Sequence, residues 1–516
     1  MVFLAFAVVV LAPLGSAVFQ LLGHPVSLTS ILAETRQWRL LGNTLALATL
    51  AAAGATLLGF PAGVLLASAR GRWHAVLSCA LVAPLLLPPY ILAVVWIDLL
   101  GAGGLLARIF DTVPPGSGSV ALPPFSVYNL GGAAAVLSLT WFPLAAFATA
   151  NAWRRVDGPA LEAARVYASP MRTLGGIQLP AAAPGMLAAA AVIHLLGLLS
   201  FTVPSLLQVP VYPVEIYTQF SSFYDGPTAT AQAIPLVALG LALLWAASRL
   251  LRPYRALPDS GRACSIPVHR RWLIGYLAFL LLVAAVLPVA HLVWRALPLH
   301  NLLTVWRTAA DELATSLLLS AATATLGATL ALAAGLSSRG RPGALFGASA
   351  LAFLLTGPVL GVCLIHLWNH APVLSLVYDS VFILVLACLA RYLVFAHFGI
   401  LSALSALPAR REEAAAASGA SLLRSFLEIQ LPQLAPALIL VWGLLFILSL
   451  GELDAVVLVA PPGYTPLSVR VYSLMHYGPS ELVAALCLLA VVVIFVIAAI
   501  CALAWAVLQR RFHAFR

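Results

Sequence analysis

The chain has 516 residues, 62% of them hydrophobic and 9% charged, with a net charge of +10. Soluble domains carry about 25% charged residues, so this composition excludes a protein whose surface lies mostly in water. All 27 basic residues are arginine. They gather in short loops between apolar runs, which reads as membrane topology and not as a nucleic-acid surface.

Apolar runs of roughly 20 residues can each cross about 30 Å of hydrocarbon. They predict helices at 2–23, 43–68, 75–99, 127–150, 184–207 and 228–251, then at 272–296, 313–337, 343–368, 380–402, 436–460 and 482–508. The fold class is therefore an all-α membrane protein of about twelve spans. The run after Met1 lacks the basic n-region of a signal peptide and is read as the first span. Loops 70–74, 154–172, 249–271, 339–341 and 410–424, with the tail, hold 20 of the 27 arginines. The opposite loops hold Arg36, Arg39, Arg108, Arg295, Arg307 and Arg470. This bias places the arginine-rich loops and both termini in the cytoplasm. The expected location is a bacterial inner membrane. The six cysteines form no Cys-x-x-Cys pair, and all but Cys264 fall in apolar runs. They read as small buried hydrophobes.

The polar stretch 252–271, rich in Pro, Gly and Arg, reads as a cytoplasmic linker between halves 1–251 and 272–516. The halves repeat. Residues 162–185 read EAARVYASPMRTLGGIQLPAAAPG, and residues 413–437 read EAAAASGASLLRSFLEIQLPQLAPA. Both carry Glu-Ala-Ala and Ile-Gln-Leu-Pro, and both follow the fourth span of their half. The first copy is one residue shorter, between Ala168 and Ile177. The repeat is parallel, with its pseudo-two-fold axis along the membrane normal.

Each repeated loop spans about 30 residues, 154–183 and 405–435, which is long for a connector. Glu-Ala-Ala favours a helix, with the Glu near the positive end of its dipole. Gly419 suits a left-handed stop. Leu422, Leu423, Phe426 and Ile429 have helical spacing and predict a second helix with an apolar stripe. Pro432 is expected to break that helix before the membrane span resumes. Two such helix–turn–helix knobs offer a symmetric surface to a symmetric partner.

At these residues the chain resembles the membrane subunits of binding-protein-dependent ABC importers. Their loop reads Glu-Ala-Ala, three residues, Gly, about nine residues, then Ile-x-Leu-Pro. The second copy matches at Glu413, Ala414, Ala415, Gly419, Ile429, Leu431 and Pro432. The first keeps Glu162, Ala163, Ala164, Ile177, Leu179 and Pro180 and has Ala168 in place of Gly. The resemblance implies a type I importer fold of two six-helix halves. It implies coupling helices that dock into two ATP-binding cassette subunits on the cytoplasmic face, and a periplasmic or lipid-anchored substrate-binding protein on the other side. The chain has no Walker A motif, phosphate-binding Gly loop or triad spacing. No cofactor is expected on this chain; ATP and Mg belong to the partner ATPase. The expected role is a transport subunit without enzymatic activity of its own.

The loops after spans five and eleven hold a second, weaker repeat. Glu215-Ile216-Tyr217 answers Arg470-Val471-Tyr472. The second of these loops, with Glu452-Leu453 and the run to Arg470, resembles the ferric-iron branch of the permeases. Ferric iron is thus the first expected substrate, and thiamine, polyamine or an inorganic anion the alternatives. Ser200, Arg391, Glu452 and Asp454 are the candidates for the substrate path. Carboxylates near a membrane are costly and often functional, and oxygen ligands suit a hard cation. The alternative is that Glu452 and Asp454 face water at the outer interface. Arg391 lies inside a span and is expected to pair with a carboxylate or carbonyl, chiefly in a structural role. His194, His366 and His397 lack ligand spacing, so no metal site is expected. Asp98 reads as interfacial. Gly54, Gly59, Gly327 and Gly335 read as close-packing positions. The rival function is an ion-coupled secondary transporter, which would also have two parallel halves. It usually needs more intramembrane carboxylates than this chain has.

Overall fold

A computed structural model describes residues 2–23, 31, 33–101, 104, 126–156, 163–164, 166–255, 270–297, 299–338, 340–369, 372–407, 417–419 and 421–513. Among these residues every regular element is a helix. The helices used below are α1 (Phe3–Gly23), α2 (Thr35–Ser68), α3 (Gly71–Leu85), α4 (Pro89–Leu100), α5 (Leu130–Arg154), α6 (Met171–Leu198), α7 (Tyr212–Phe223), α8 (Gly226–Arg255), α9 (Arg270–Ala296), α10 (Leu299–Thr308), α11 (Ala310–Ser337), α12 (Ala344–Leu354), α13 (Gly357–Trp368), α14 (Val381–Ser405), α15 (Leu423–Leu450), α16 (Leu467–Tyr477) and α17 (Ser480–His513).

Ten of these are long and apolar enough to cross a membrane: α1, α2, α5, α6, α8, α9, α11, α14, α15 and α17. The pairs α3–α4 and α12–α13 pass the same test only together, bent by 73° and 105°. The count is twelve if each bent pair is one span, as the apolar runs predict. Large apolar side chains such as Leu57, Phe279 and Leu503 point out of the fold. In water that would aggregate; in lipid it is the expected surface. The chain is a multi-pass α-helical membrane protein.

Two expectations about the spans are corrected. Residues 75–99 and 343–368 do not form straight helices. The breaks fall at Leu86–Pro88 and Leu355–Thr356, where Pro88-Pro89 and Gly357-Pro358 follow. A proline offers no N–H and disfavours a helical residue before it. The fifth span of each half starts near residue 171 or 423, not at 184 or 436, and Pro432 does not end a helix. Instead the residues just before the proline widen into one π-turn, Phe426–Gln430, and the same happens at Leu174–Gln178 before Pro180. Ala7–Leu11 before Pro13 and Leu282–Val286 before Pro288 repeat the arrangement. The proline ring collides with the carbonyl four residues back, and a wider turn moves that carbonyl aside while the helix continues.

The chain folds as two compact units. One comprises 27–215 and 234–297. Here α2 and α5 run side by side at close range. A Cβ on Gly59 would stand 2.5 Å from the Phe142 carbonyl oxygen, and one on Gly54 or Gly63 would collide with Ser138 or Ala146. Trp153 is fully buried and meets Phe60 edge-on. The Tyr276 hydroxyl of α9 donates to the Leu58 carbonyl at 2.9 Å.

The other unit comprises 1–26, 216–233 and 298–516. In it α11 packs on α14 and α15 through Gly335 and Gly327. Helix α1 belongs here: Ser16 donates to the Cys363 carbonyl at 3.0 Å, and Thr230 donates to Gln20 at 3.2 Å. The units therefore differ from the halves 1–251 and 272–516: the leading helices α1 and α9 are exchanged, and 216–233 goes with the unit that holds most of the second half. Most of the linker 252–271 lies outside the described residues.

Close packing at the glycines makes a prediction. Gly59→Val forces apart a contact with no free space and should cost about 1–3 kcal/mol. A lower thermal unfolding midpoint in detergent, with Gly275→Val as a neutral control because a Cβ there meets nothing within 4 Å, is the expected result.

Candidate functional site

From the serine to the proline the two repeated loops fold alike. Ser169 and Ser421 each start the second helix, and their side-chain oxygens accept the N–H of Arg172 at 3.4 Å and of Arg424 at 3.3 Å. This is N-capping by a hydroxyl. From these serines to Pro180 and Pro432 the copies keep a constant register, and both place the π-turn at the same point. Leu179 and Pro180 are exposed, while Leu431 and Pro432 are half-buried.

Gly419 is left-handed, φ +76°, as its position predicts. Ala168 takes no such conformation, and its N–H returns to the Ala164 carbonyl at 2.8 Å. The shorter first copy thus turns differently. Ala163 and Ala164 are helical. Glu162, Glu413, Ala414 and Ala415 lie outside the described residues. Among the described residues the large exposed apolar side chains are Leu423 and Leu427 in the second copy, and Val166, Tyr167, Met171 and Leu179 in the first. Phe426 and Ile429 of the expected stripe are half-buried, because the π-turn rotates them away.

The substrate-path candidates of the second half come together. Helix α15 ends at Leu450, and the turn that follows puts Glu452 and Asp454 against Arg391 of α14. Arg391 Nη2 donates to Asp454 Oδ2 at 2.9 Å, and its Nε lies 3.3 Å from Glu452 Oε2. The Tyr392 hydroxyl donates to Glu452, and so does the Ala455 N–H, at 2.7 Å. Glu452, Asp454 and Arg391 are 3%, 8% and 8% exposed. The carboxylates are therefore buried partners of Arg391, and neither faces water at an interface. Burial pushes the Glu452 carboxyl upward, and Arg391 opposes that shift.

The same turn is tied to its surroundings. Ser468, at the start of α16, donates to the Glu452 carbonyl at 2.6 Å. The Leu467 N–H donates to Ser316 of α11 at 2.7 Å. A Cβ on Gly357 would stand 2.8 Å from the Ala455 nitrogen, so only glycine lets the α12–α13 break lie on this turn.

Ser200, the remaining candidate, follows α6 in the other unit, where its N–H donates to the Gly197 carbonyl at 3.3 Å. The register of Pro180 and Pro432 aligns Ser200 with Glu452 and Thr202 with Asp454, and that of Glu162 and Glu413 aligns Thr140 with Arg391. Thr140 bonds within its own helix, to the Val136 carbonyl at 2.9 Å. Other pairs carried weaker sequence signals. Arg36 of α2 forms a two-point ion pair with Glu215 of α7, one arm at 2.7 Å, and Glu312 of α11 lies 3.7 Å from Arg470 of α16. Asp98 is not merely interfacial: it accepts from Arg295 Nε at 2.8 Å and bonds His291 at 2.7 Å. Among the described residues no three His, Cys, Asp or Glu side chains are grouped to hold a metal ion.

No family model and no curated protein matches this chain.

The buried set makes a prediction with a built-in control. Arg391→Met leaves two buried carboxylates facing each other and should destabilise by about 3–5 kcal/mol. Arg391→Met with Glu452→Gln and Asp454→Asn removes all three charges and should recover most of the loss. Unfolding midpoints of the single and triple variants in detergent check both.

Proposed function

We propose that this chain is the membrane subunit of an ATP-driven, binding-protein-dependent importer, with both permease halves in one polypeptide. The observation that carries the reading is the duplicated loop. Each copy has a serine-capped second helix and a π-turn before Leu-Pro, and from the serine to the proline the two copies hold one register. A duplicated element with exposed Leu423, Leu427, Tyr167 and Met171 fits docking onto a two-fold partner. That partner is a pair of ATP-binding cassette subunits, which bind ATP and Mg. Their closure would rock the halves between inward and outward states. A periplasmic or lipid-anchored binding protein delivers the substrate from the other face. The arginine bias puts the loops and termini in the cytoplasm of a bacterial inner membrane.

Ferric iron is the substrate first favoured, from the likeness of the Glu452–Arg470 segment. Thiamine, polyamine and inorganic anion remain the alternatives within the family. The rival, an ion-coupled secondary transporter, draws on Glu452 and Asp454, which are buried carboxylates. Both are engaged by Arg391, an arrangement better suited to structure than to reversible protonation.

The test is coexpression with its ATPase and uptake in proteoliposomes. Gly419→Val adds a left-handed penalty of about 1–2 kcal/mol, worth roughly tenfold in docking affinity. Combined with Glu413→Ala, it should strip the ATPase from the purified complex and abolish uptake. Retained assembly and uptake would remove the coupling role. Gradient-driven uptake without any ATPase would favour the rival.

A further inference from the structure

The unit 27–215 and 234–297 gathers arginines from four helix ends. Helix α2 ends at Ser68 and α3 starts at Gly71, so only Ala69 and Arg70 join them. Gly71 has φ +55°, a conformation that suits glycine in a tight turn, and Arg70 and Arg72 flank it. Helix α5 ends on Arg154, and α9 starts with Arg270-Arg271-Trp272.

One apolar cluster brings these ends together. It holds Leu66 of α2, Trp153 of α5, Leu273 of α9 and Leu81 of α3, with Leu77 packed against it. Leu66, Trp153 and Leu273 each lie within about three residues of the end of their helix. Helices α3 and α5, α3 and α9, and α2 and α9 are in contact. Arg154 Nη2 donates to the Leu66 carbonyl at 3.5 Å, and its charge acts on His74 in the first turn of α3. The chain has no Asp or Glu at 35–97, 130–156 or 260–310, so these segments carry no charge to offset the cluster. The residue before α3 is Arg70, whose side chain can only donate, so no side chain caps the first N–H groups of that helix.

The surroundings decide what partner fits. Trp73 and Trp272 are 54% and 76% exposed, and each follows an arginine. Further along the same two helices Val76, Ile274 and Phe279 are exposed as well. In a multi-pass membrane protein such side chains face lipid, and tryptophan favours the level of the headgroups. Lipid-facing surface therefore runs up to the arginines. A soluble partner would have to cover tryptophans that lipid already covers. A phospholipid meets both parts at once, its acyl chains along α3 and α9 and its phosphate among the arginines.

We infer that the ends of α2, α3, α5 and α9 form a binding site for the headgroup of an anionic phospholipid, with Arg70, Arg72, Arg270 and Arg271 as its phosphate ligands. Arg154, bonded to the Leu66 carbonyl, ties the site to α2. An arginine bias that sets topology needs the arginines on one side only; it does not need them to converge between tryptophans. The site does not rest on the importer reading.

Native mass spectrometry of the purified full chain tests it. With phosphatidylcholine and phosphatidylglycerol offered in equal amounts, the chain should retain phosphatidylglycerol at least about tenfold more. Arg70→Gln, Arg72→Gln, Arg270→Gln and Arg271→Gln together should remove most of that preference. The control Arg249→Gln, Arg341→Gln, Arg510→Gln and Arg511→Gln takes as many arginines from the arginine-rich loops and helix ends and should keep it. No preference in the native chain, or an equal loss in both variants, overturns the site. If the first variant does not fold, photo-crosslinking of the native chain takes its place. A phosphatidylglycerol with a photoactivatable group beside its phosphate should label 69–77 and 270–276, and labels elsewhere alone overturn the site. A folded variant that keeps its lipid but no longer holds its ATPase assigns this face to a protein partner and overturns the site too.

Discussion

Hydrocarbon supplies no hydrogen-bond partner, so each backbone group that a proline or a break sets free inside a span must be answered by the protein itself. The rest of this structure follows from that constraint. Four prolines, Pro13, Pro180, Pro288 and Pro432, are each preceded by a single π-turn, and the helix runs on through them. Elsewhere the chain turns sharply, and a turn can be bonded from several sides. The end of α15 shows this best. Within five residues of Leu450, a carboxylate caps the Ala455 N–H and a carbonyl accepts from Ser468.

Charge obeys the same rule more severely. Arg391 in the middle of a helix would cost several kcal/mol if left alone. It is tolerable because two carboxylates of the turn converge on it, and the phenol of its helix neighbour Tyr392 donates to one of them. The arrangement is local in space but not in sequence, with about 60 residues between Arg391 and Glu452. Three groups that would each be intolerable alone become one rigid junction between α14, the turn after α15, α16 and α13.

Much of this was legible in the amino-acid sequence. Apolar run length located the spans, because the bilayer sets one length for all of them. The repeated Ile-Gln-Leu-Pro located the paired loops, and Gly419 announced its left-handed turn because few other residues adopt one. Gly54, Gly59, Gly327 and Gly335 meet neighbours as close as their small size suggested. Hydropathy could not distinguish a straight span from a broken one, since both faces of a bend are equally apolar; only Pro88-Pro89 and Gly357-Pro358 carried that information. Reading Pro432 as a stop erred because a proline ends a helix only when the ladder cannot widen around it. The pairing of Arg391 was expected, but Glu452 and Asp454 pointed equally to burial and to water. Their place depends on where α15 ends, and that end was predicted ten residues too late. Ser468 and Gly357 gave no signal alone, because a hydroxyl-to-carbonyl bond and a missing Cβ are recognisable only against their neighbours.

Joining two repeats in one polypeptide allows each to diverge by itself. In a symmetric pair of identical chains a buried Arg–Glu–Asp set would occur twice, and any flexibility would be equal on the two sides. Here the differences run in one direction. The second half has the left-handed Gly419 in its loop and the charge set at its far end. The first half has Ala168 with a differently built turn, and hydroxyls or prolines where the junction would be. The residues that distinguish the second copy at this place are few: three charged side chains, one serine and one glycine, all converging on the turn at Gly451–Ala455.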